Sequence, residues 1–363
     1  MNIHAVILAA GKGTRMKSRL YKVMHPVCGK PMIEHVVEAV EDLALHKLVV
    51  VIGHGAEAVM HQLGDRVSYA HQQEQLGTAH AVWMCREALE NQEGITLVLN
   101  GDTPLVRKET LHQLLSYHRE RGAAATVLTA IVDNPTGYGR IIRDESGNVR
   151  RIVEEKDATL GQKKVCEIST GIFCFDNRKL FETIPLVSND NAQGEYYLPD
   201  VLSLLQDQGS VIGAYVADDP EEGAGVNDRI QLAQMEQKLR KRINERHMKG
   251  GVTIIDPVST YIDSDVQIGS DTVIYPGSYL SGHTRIGEGC AIGPNAHVID
   301  SAIESHVQVS SSTVVGSRIP RDAIVGPYAY VSGETGKSVE RADERHLREE
   351  HLLATAQATG GRC

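Results

Sequence analysis

The sequence predicts two architectures in succession: an α/β domain built on a mostly parallel sheet, then a parallel β-helix of hexapeptide repeats. Three observations carry this expectation. Short apolar strands alternate with helical patterns up to about residue 226. A charged helical stretch, Asp228 to Lys249, ends at Gly250–Gly251. Beyond it, aliphatic residues recur every six positions. A chain of 363 residues is long enough for two such domains and for a core that needs no covalent staples.

In the first region, Ala5–Ala9, Leu48–Ile52, Ile95–Leu99, Thr126–Val132 and Ile168–Phe175 read as strands. Between the first two, "PMIEHVVEAVEDLALHKL" places Pro31 at a first helical position, with Met32, Ile33, Val36, Val37 and Val40 on one face. Alternation at this spacing implies helices on both faces of the sheet. The stretch Asp228–Lys249 reads as a charged, largely exposed helix.

The repeat begins at Ile262 and continues through Ile268, Ile274, Leu280, Ile286, Ile292 and Val298, with Gly, Asn, Asp and Ser between. The register slips by one to Ile303, Val309 and Val315, then resumes at Ile319, Val325 and Val331. Each aliphatic residue is expected to point into a narrow triangular core, three hexads to a coil, giving about four coils. The expected segmentation is residues 1–227, a linker helix over 228–250, the β-helix over 251–331 and a charged non-repeat tail over 332–363.

Composition excludes several classes. A net charge of −10 argues against general binding to nucleic acid or an anionic membrane, both of which need a basic face. No apolar run reaches the length of a membrane span, and no leader-like segment opens the chain. The six cysteines form no C-x-x-C pair, so they read as free thiols in a reducing, cytoplasmic compartment.

The stretch "VILAAGKGTRM", Val6 to Met16, carries the chemistry. As a dinucleotide fingerprint it fails, because Met16 stands where the third glycine belongs. It also lacks the spacing of a P-loop. A third design fits: Ala9–Ala10–Gly11 let a flat base approach the backbone, Gly13 and Thr14 offer N–H groups, and Arg15 and Lys22 supply positive charge for a triphosphate. A plain βα turn with surface charges is the alternative at this point.

Further motifs follow in order: "GKPM" at Gly29–Met32, "QLGTAHAV" at Gln75–Val82, "NGDTPL" at Asn100–Leu105, "PTGYGRI" at Pro135–Ile141, "VEEKDA" at Val153–Ala158, "STGIF" at Ser169–Phe173, "NAQGEYYLPD" at Asn191–Asp200 and "GVNDR" at Gly225–Arg229. Together, over roughly residues 3 to 331, the chain resembles the bacterial bifunctional N-acetylglucosamine-1-phosphate uridyltransferase/glucosamine-1-phosphate acetyltransferase family. The resemblance implies a Rossmann-like nucleotidyltransferase domain followed by a short left-handed β-helix that associates as a homotrimer. It implies a reaction that joins UTP to N-acetylglucosamine 1-phosphate, giving pyrophosphate and UDP-N-acetylglucosamine, a peptidoglycan precursor. The sugar phosphate is already ionised, so the task is in-line positioning and charge neutralisation.

Carried over motif by motif, the resemblance makes Asp102 and Asn227 ligands of Mg²⁺. It assigns Leu8, Ala9, Ala10, Gly11, Gln72, Gly77, Thr78 and Gly101 to the nucleotide. Arg15 and Lys22 are the catalytic cations, on the leaving phosphates and on the α-phosphate or sugar phosphate. Gly139, Glu154 and Ser169 face the sugar. As a run, Glu154–Asp157 also reads as a merely solvated charge cluster.

The chain departs from the family pattern twice. Ser169 in "EISTG" stands where the family carries Asn, offering one hydroxyl in place of an amide. In "VGPYAYVSGETG", Val325 to Gly336, the family's Arg-Pro-Gly segment is missing, and the only later histidines are His346 and His351. No acetyl transfer is therefore expected. The tail reads as a frameshift, a natural truncation or a plain helical cap. Two alternatives accompany the main reading: a pyrophosphorylase for another hexose 1-phosphate, with UTP or dTTP, and a non-catalytic nucleotide-sugar sensor.

Overall fold

The computed structural model describes residues 1–333 and the pair Glu340–Arg341. The rest of the charged tail, with His346, His351 and Cys363, lies outside the described residues. The chain divides into two compact units: Met1–Val27 with Pro31–Met235, and Cys28–Lys30 with Glu236–Cys363.

The first unit is organised by one nine-stranded sheet. Its strands are β1 (Ile3–Leu8), β2 (Lys47–Ile52), β3 (Ser68–His71), β4 (Ile95–Asn100), β5 (Ala125–Ile131), β6 (Arg140–Arg143), β7 (Val149–Val153), β8 (Glu167–Asp176) and β9 (Ile212–Val216). The main order is β9-β5-β8-β4-β1-β2-β3, with the β6–β7 hairpin attached to β8. All main neighbours are parallel except β8, which runs antiparallel to β4 and β5. The apolar runs of β1, β2 and β4 arise because both sheet faces are covered. Val6, Val49, Val51 and Val98 pack into one core. Their chain neighbours Ala5, Ile7, Val50, Ile52, Leu97 and Leu99 pack into the other.

All five strands expected from the sequence form. Four others, β3, β6, β7 and β9, have no strong apolar signature. In β3 ("SYAH") and β6 ("RIIR") polar and charged residues hide the period. The first helix is Met32–Glu41, and Pro31 is its cap, with φ −53° and extended ψ 143°, not its first turn. It stops at Asp42 and does not run on towards Leu48, because Ala44 turns left-handed (φ 51°) and Lys47 enters β2.

In the second unit, successive short strands step through three ladders in rotation. One ladder stacks Ile262, Leu280, Val298, Val314 and Val331; the second stacks Ile268, Ile286, Ile303 and Ile319; the third stacks Ile254, Ile274, Ile292, Val309 and Val325. This is the arrangement of a short parallel β-helix, and Glu340–Arg341 pairs antiparallel on the third ladder. Two positions before the aliphatic residue, the side chain is usually small and buried at a corner. Thr272, Ser278 and Thr284, for example, donate to the carbonyls of Gly287 (2.8 Å), Tyr275 (2.8 Å) and Ser281 (2.7 Å).

Two details correct the sequence reading. The inward residue of the fourth coil is Val314, fully buried, whereas Val315 is only half-buried. The coil shortens there, so that Val298 pairs with a residue 16 positions on. The helix Arg229–Lys249 is not largely exposed over its second half, for Arg240, Ile243, Asn244 and His247 are buried. These lie at i, i+3, i+4 and i+7, one helical face, but three of the four are polar, so no hydrophobic stripe announces them. Asn244 donates to the carbonyls of Pro257 (3.0 Å) and Thr260 (3.2 Å), and the Arg240 guanidinium sits 4.1 Å from the centre of the Tyr261 ring.

Among the described residues no helix is long and apolar enough to cross a membrane, and Cys28, Cys85, Cys166, Cys174 and Cys290 are free thiols. The shifted register gives a direct test by denaturation of single variants. Val314→Ala should destabilise the coil by about 2 kcal/mol. Val315→Ala should cost within about 1 kcal/mol.

Candidate functional site

Strand β1 ends at Leu8, and the chain then turns across the carboxyl ends of the sheet. Here Ala9 N–H still bonds the Val51 carbonyl (2.9 Å), and Gly101 N–H bonds the Leu8 carbonyl (2.9 Å). The buried Tyr21 phenol donates to the Ala9 carbonyl. The ring of Tyr21 lies against Gly55, where a Cβ would come within 2.9 Å of it. These contacts hold the loop, and its residues Leu8 to Gly11 line a cleft of about 460 Å³.

That cleft gathers Leu8, Ala9, Ala10, Gly11, Lys22, Gln72, Gly77, Thr78, Asp102, Gly139, Glu154, Ser169 and Asn227 along one surface. Two expected residues are not on its wall. Gly101 is buried behind Leu8, where it serves the backbone. Arg15 reaches the site from the side, through a bond of 2.9 Å from its guanidinium to Asn227 Oδ1.

Part of the cleft wall is built from the first loop and the Gln72–Thr78 turn. Gln72 is buried, and its amide nitrogen lies 3.1 Å from the Gly77 carbonyl and 3.0 Å from His80 Nδ1. Gly77 has φ 117°, and a Cβ there would sit 2.4 Å from the Tyr196 carbonyl oxygen. Its glycine is thus required by the approach of a neighbouring backbone. Thr78 Oγ1 is likewise engaged, accepting from Leu198 N–H (2.9 Å).

On the same wall, Lys22 Nζ makes an ion pair with Asp102 and donates to Asn227 Oδ1 (2.9 Å). Gly13 allows this: it is left-handed (φ 59°), and a Cβ on it would strike the Lys22 stem at 2.5 Å. Asp102 and Asn227 thus present two hard oxygens to one cation, a donor set that suits a divalent metal taking its other ligands from phosphate and water. Among the described residues, no three His, Cys, Asp or Glu side chains gather into a larger metal cluster.

A further part of the wall is formed by Gly137–Gly139, Glu154 and the bulged strand β8. Ser169 N–H bonds the Gly139 carbonyl (2.8 Å), and its hydroxyl accepts from Gly171 N–H (3.3 Å). At the register shift between Ser169 and Phe173, left-handed Gly171 lies against Asn100, and the Thr170 hydroxyl donates to the Leu128 carbonyl (2.8 Å). The Glu154 carboxyl is pushed above the usual carboxylate range by burial, then by Asp157, Asp200 and Glu195, with Arg140 opposing. Glu155, next in sequence, faces elsewhere: it accepts from Arg140 (2.7 Å) and from Gly137 N–H (3.1 Å), bracing the hairpin. Lys156 and Asp157 bind the Ala192–Gln193 loop at 2.6 and 2.9 Å. The run Glu154–Asp157 is therefore not a plain solvated cluster.

Sequence reasoning passed over Asn100, Tyr138, Thr170, Gly171, Glu195 and Gly225, all on the cleft wall. Each lies inside a motif already recognised, so the signal was present, but only contact with the cleft separates them from their neighbours. Tyr138 is half-buried and close to Asp102, and both effects, desolvation first, raise its phenol above the ordinary value.

Placing a methyl at Gly77 tests the turn. Gly77→Ala should lower stability by about 1–3 kcal/mol, read by thermal melting.

The family described as Nucleotidyl transferase matches residues 4–221. Over 329 residues the chain is 56% identical to the "Bifunctional protein GlmU" of Brevibacillus brevis, covering 91% of this chain and 71% of that one. The protein of the same name from Bacillus velezensis is 54% identical over 327 residues, with 90% and 72% covered. That of Listeria monocytogenes is 52% identical over 332 residues, with 92% and 73% covered. The chain belongs to the nucleotidyl transferases and, among them, to the GlmU family.

Proposed function

We propose that the cleft joins UTP to N-acetylglucosamine 1-phosphate, releasing pyrophosphate and forming UDP-N-acetylglucosamine. The observation that carries this reading is the convergence of Arg15, Lys22, Asp102 and Asn227 at one point of a cleft whose wall also holds Leu8–Gly11, Gln72, Gly77, Thr78, Gly139, Glu154 and Ser169. Two cations and two hard oxygens at that point suit phosphates, and the rest of the wall is left for the base and the sugar that flank them in the product.

The phosphate oxygen of the sugar attacks the α-phosphorus, the bond to the β-phosphate breaks, and pyrophosphate leaves with its electron pair. No general base is needed, since the attacking oxygen is already ionised. Lys22 neutralises charge where attacker and α-phosphate meet, and Arg15 holds the leaving phosphates. Asp102 and Asn227 hold Mg²⁺, which when bound screens the phosphate oxygens from one another. Leu8 to Gly11, Gln72, Gly77 and Thr78 frame the uracil, with Gly101 behind them. Glu154, Gly139 and Ser169 receive the sugar, where a Glu154 carboxylate accepts from hydroxyls.

Ser169 favours a second reading, another hexose 1-phosphate such as glucose 1-phosphate, because its single hydroxyl is already shared with Gly171 N–H. The segmentation 1–227, 228–250 and 251–331, left-handed winding of the coils and homotrimeric association through them belong to the same proposal and rest on resemblance to the family. A cytoplasmic location is supported by the nucleotide substrate and the free thiols.

Pyrophosphate release with Mg²⁺ and UTP should be faster with N-acetylglucosamine 1-phosphate than with glucose 1-phosphate. Equal or reversed rates would establish the second reading, and no release with either would leave a binding protein. Lys22→Ala should lower kcat about 10²–10³-fold with a smaller change in KM for UTP. As pH falls, Glu154 should gain its proton earlier than an ordinary carboxylate. The KM for the sugar phosphate should then rise while that for UTP changes less, and Glu154→Gln should flatten this dependence.

A further inference from the structure

We infer that Lys22 and Arg15 keep the metal position closed in the ligand-free protein, and that the triphosphate opens it by drawing both cations away. The inference rests on the reading of Asp102 and Asn227 as the metal's protein ligands. It goes beyond that reading by making metal affinity a consequence of nucleotide binding, not of a preformed site.

The geometry is specific. Asn227 Oδ1, the oxygen that would face a metal, accepts from Arg15 Nη2 and from Lys22 Nζ, both at 2.9 Å. An amide oxygen has two lone pairs, so both are committed. The Asp102 carboxylate is paired with the same Lys22 ammonium, and the side chains of this pair are only 14% and 18% exposed. Water screens such a contact weakly, and its strength exceeds that of an open surface pair. A divalent ion arriving alone would have to displace Lys22 from Asp102 and both donors from Asn227. It would also meet two positive side chains held at the same point.

A nucleoside triphosphate changes the balance. Its phosphates carry several negative charges and outcompete one carboxylate and one neutral amide for the two cations. Lys22 is suited to the move because its ammonium is a compact charge on a flexible stem, with three donors free to reorient. Gly13 leaves the near end of that stem unobstructed on the loop side. Once the cations turn to phosphate, the oxygens of Asp102 and Asn227 face a single vacated point beside the same phosphates. Metal and nucleotide thus bind with positive coupling carried by Lys22 and Arg15.

The test measures Mn²⁺ binding to the full chain without nucleotide, by the loss of the free-ion electron paramagnetic resonance signal. Lys22→Gln should bind Mn²⁺ at least tenfold more tightly than the wild type. Lys22→Met, which cannot hydrogen-bond, should do the same and repeats the test if the first variant folds poorly. Lys12→Gln removes one charge from the same loop without touching Asp102 or Asn227, and should stay within twofold of the wild type. If both Lys22 variants match the wild type, the closed position is overturned. A Lys12→Gln effect as large as that of Lys22→Gln overturns it too, by reducing it to general electrostatics. Asp102→Asn separates the two levels of the argument. Loss of binding in this variant of the Lys22→Gln background keeps Asp102 as a ligand whatever Lys22 does. Unchanged binding there removes the ligand reading and the closure with it.

Discussion

Bringing an anionic sugar phosphate against an anionic triphosphate is the constraint on which the first unit depends. The groups proposed to answer it, Arg15, Lys22, Asp102 and Asn227, come from three distant stretches of chain and meet at one point. Strand β4 delivers Asp102 just beyond its carboxyl end, the loop after β1 delivers the cations, and the segment before the long helix returns Asn227. A sheet whose neighbouring strands β1 and β4 run parallel puts two of these ends side by side, as ligand sites in open α/β sheets require.

Precision at that point is secured by contacts that never touch a substrate. Tyr21 ties the Ala9 carbonyl, Gly101 ties Leu8, and Glu155 with Arg140 braces the Gly137–Gly139 turn. Gly13 and Gly77 are needed for close approach, one to the Lys22 stem and the other to the Tyr196 backbone. A side chain at either place would move a loop and not merely fill a space. Such sites are sensitive to substitutions one layer away from the chemistry, because ångström displacements are costly where charges must align.

The second unit solves a different problem with a simpler rule. Aliphatic residues stack in three ladders, while hydroxyls at the corners satisfy carbonyls that a narrow core would otherwise leave unpaired. Asn244 on the long helix does the same for the first coil, bonding two carbonyls where no preceding strand is available.

Much of this was legible in the sequence because it is periodic or local. The strands of the doubly covered sheet are runs of Val, Ile and Leu, the coils repeat at six, and the loop "VILAAGKGTRM" carries its cations within a few residues. Ordered motifs also located nearly every residue of the cleft wall. Tertiary structure alone decided what depends on partners far away in the chain. It buried a polar helix face, chose Val314 over Val315 where a coil shortens, and split neighbouring Glu154 and Glu155 between cleft and brace. It also set Lys22 between Asp102 and Asn227. Local pattern determines which elements form, whereas the partner of a polar side chain is settled only when those elements pack and water is excluded.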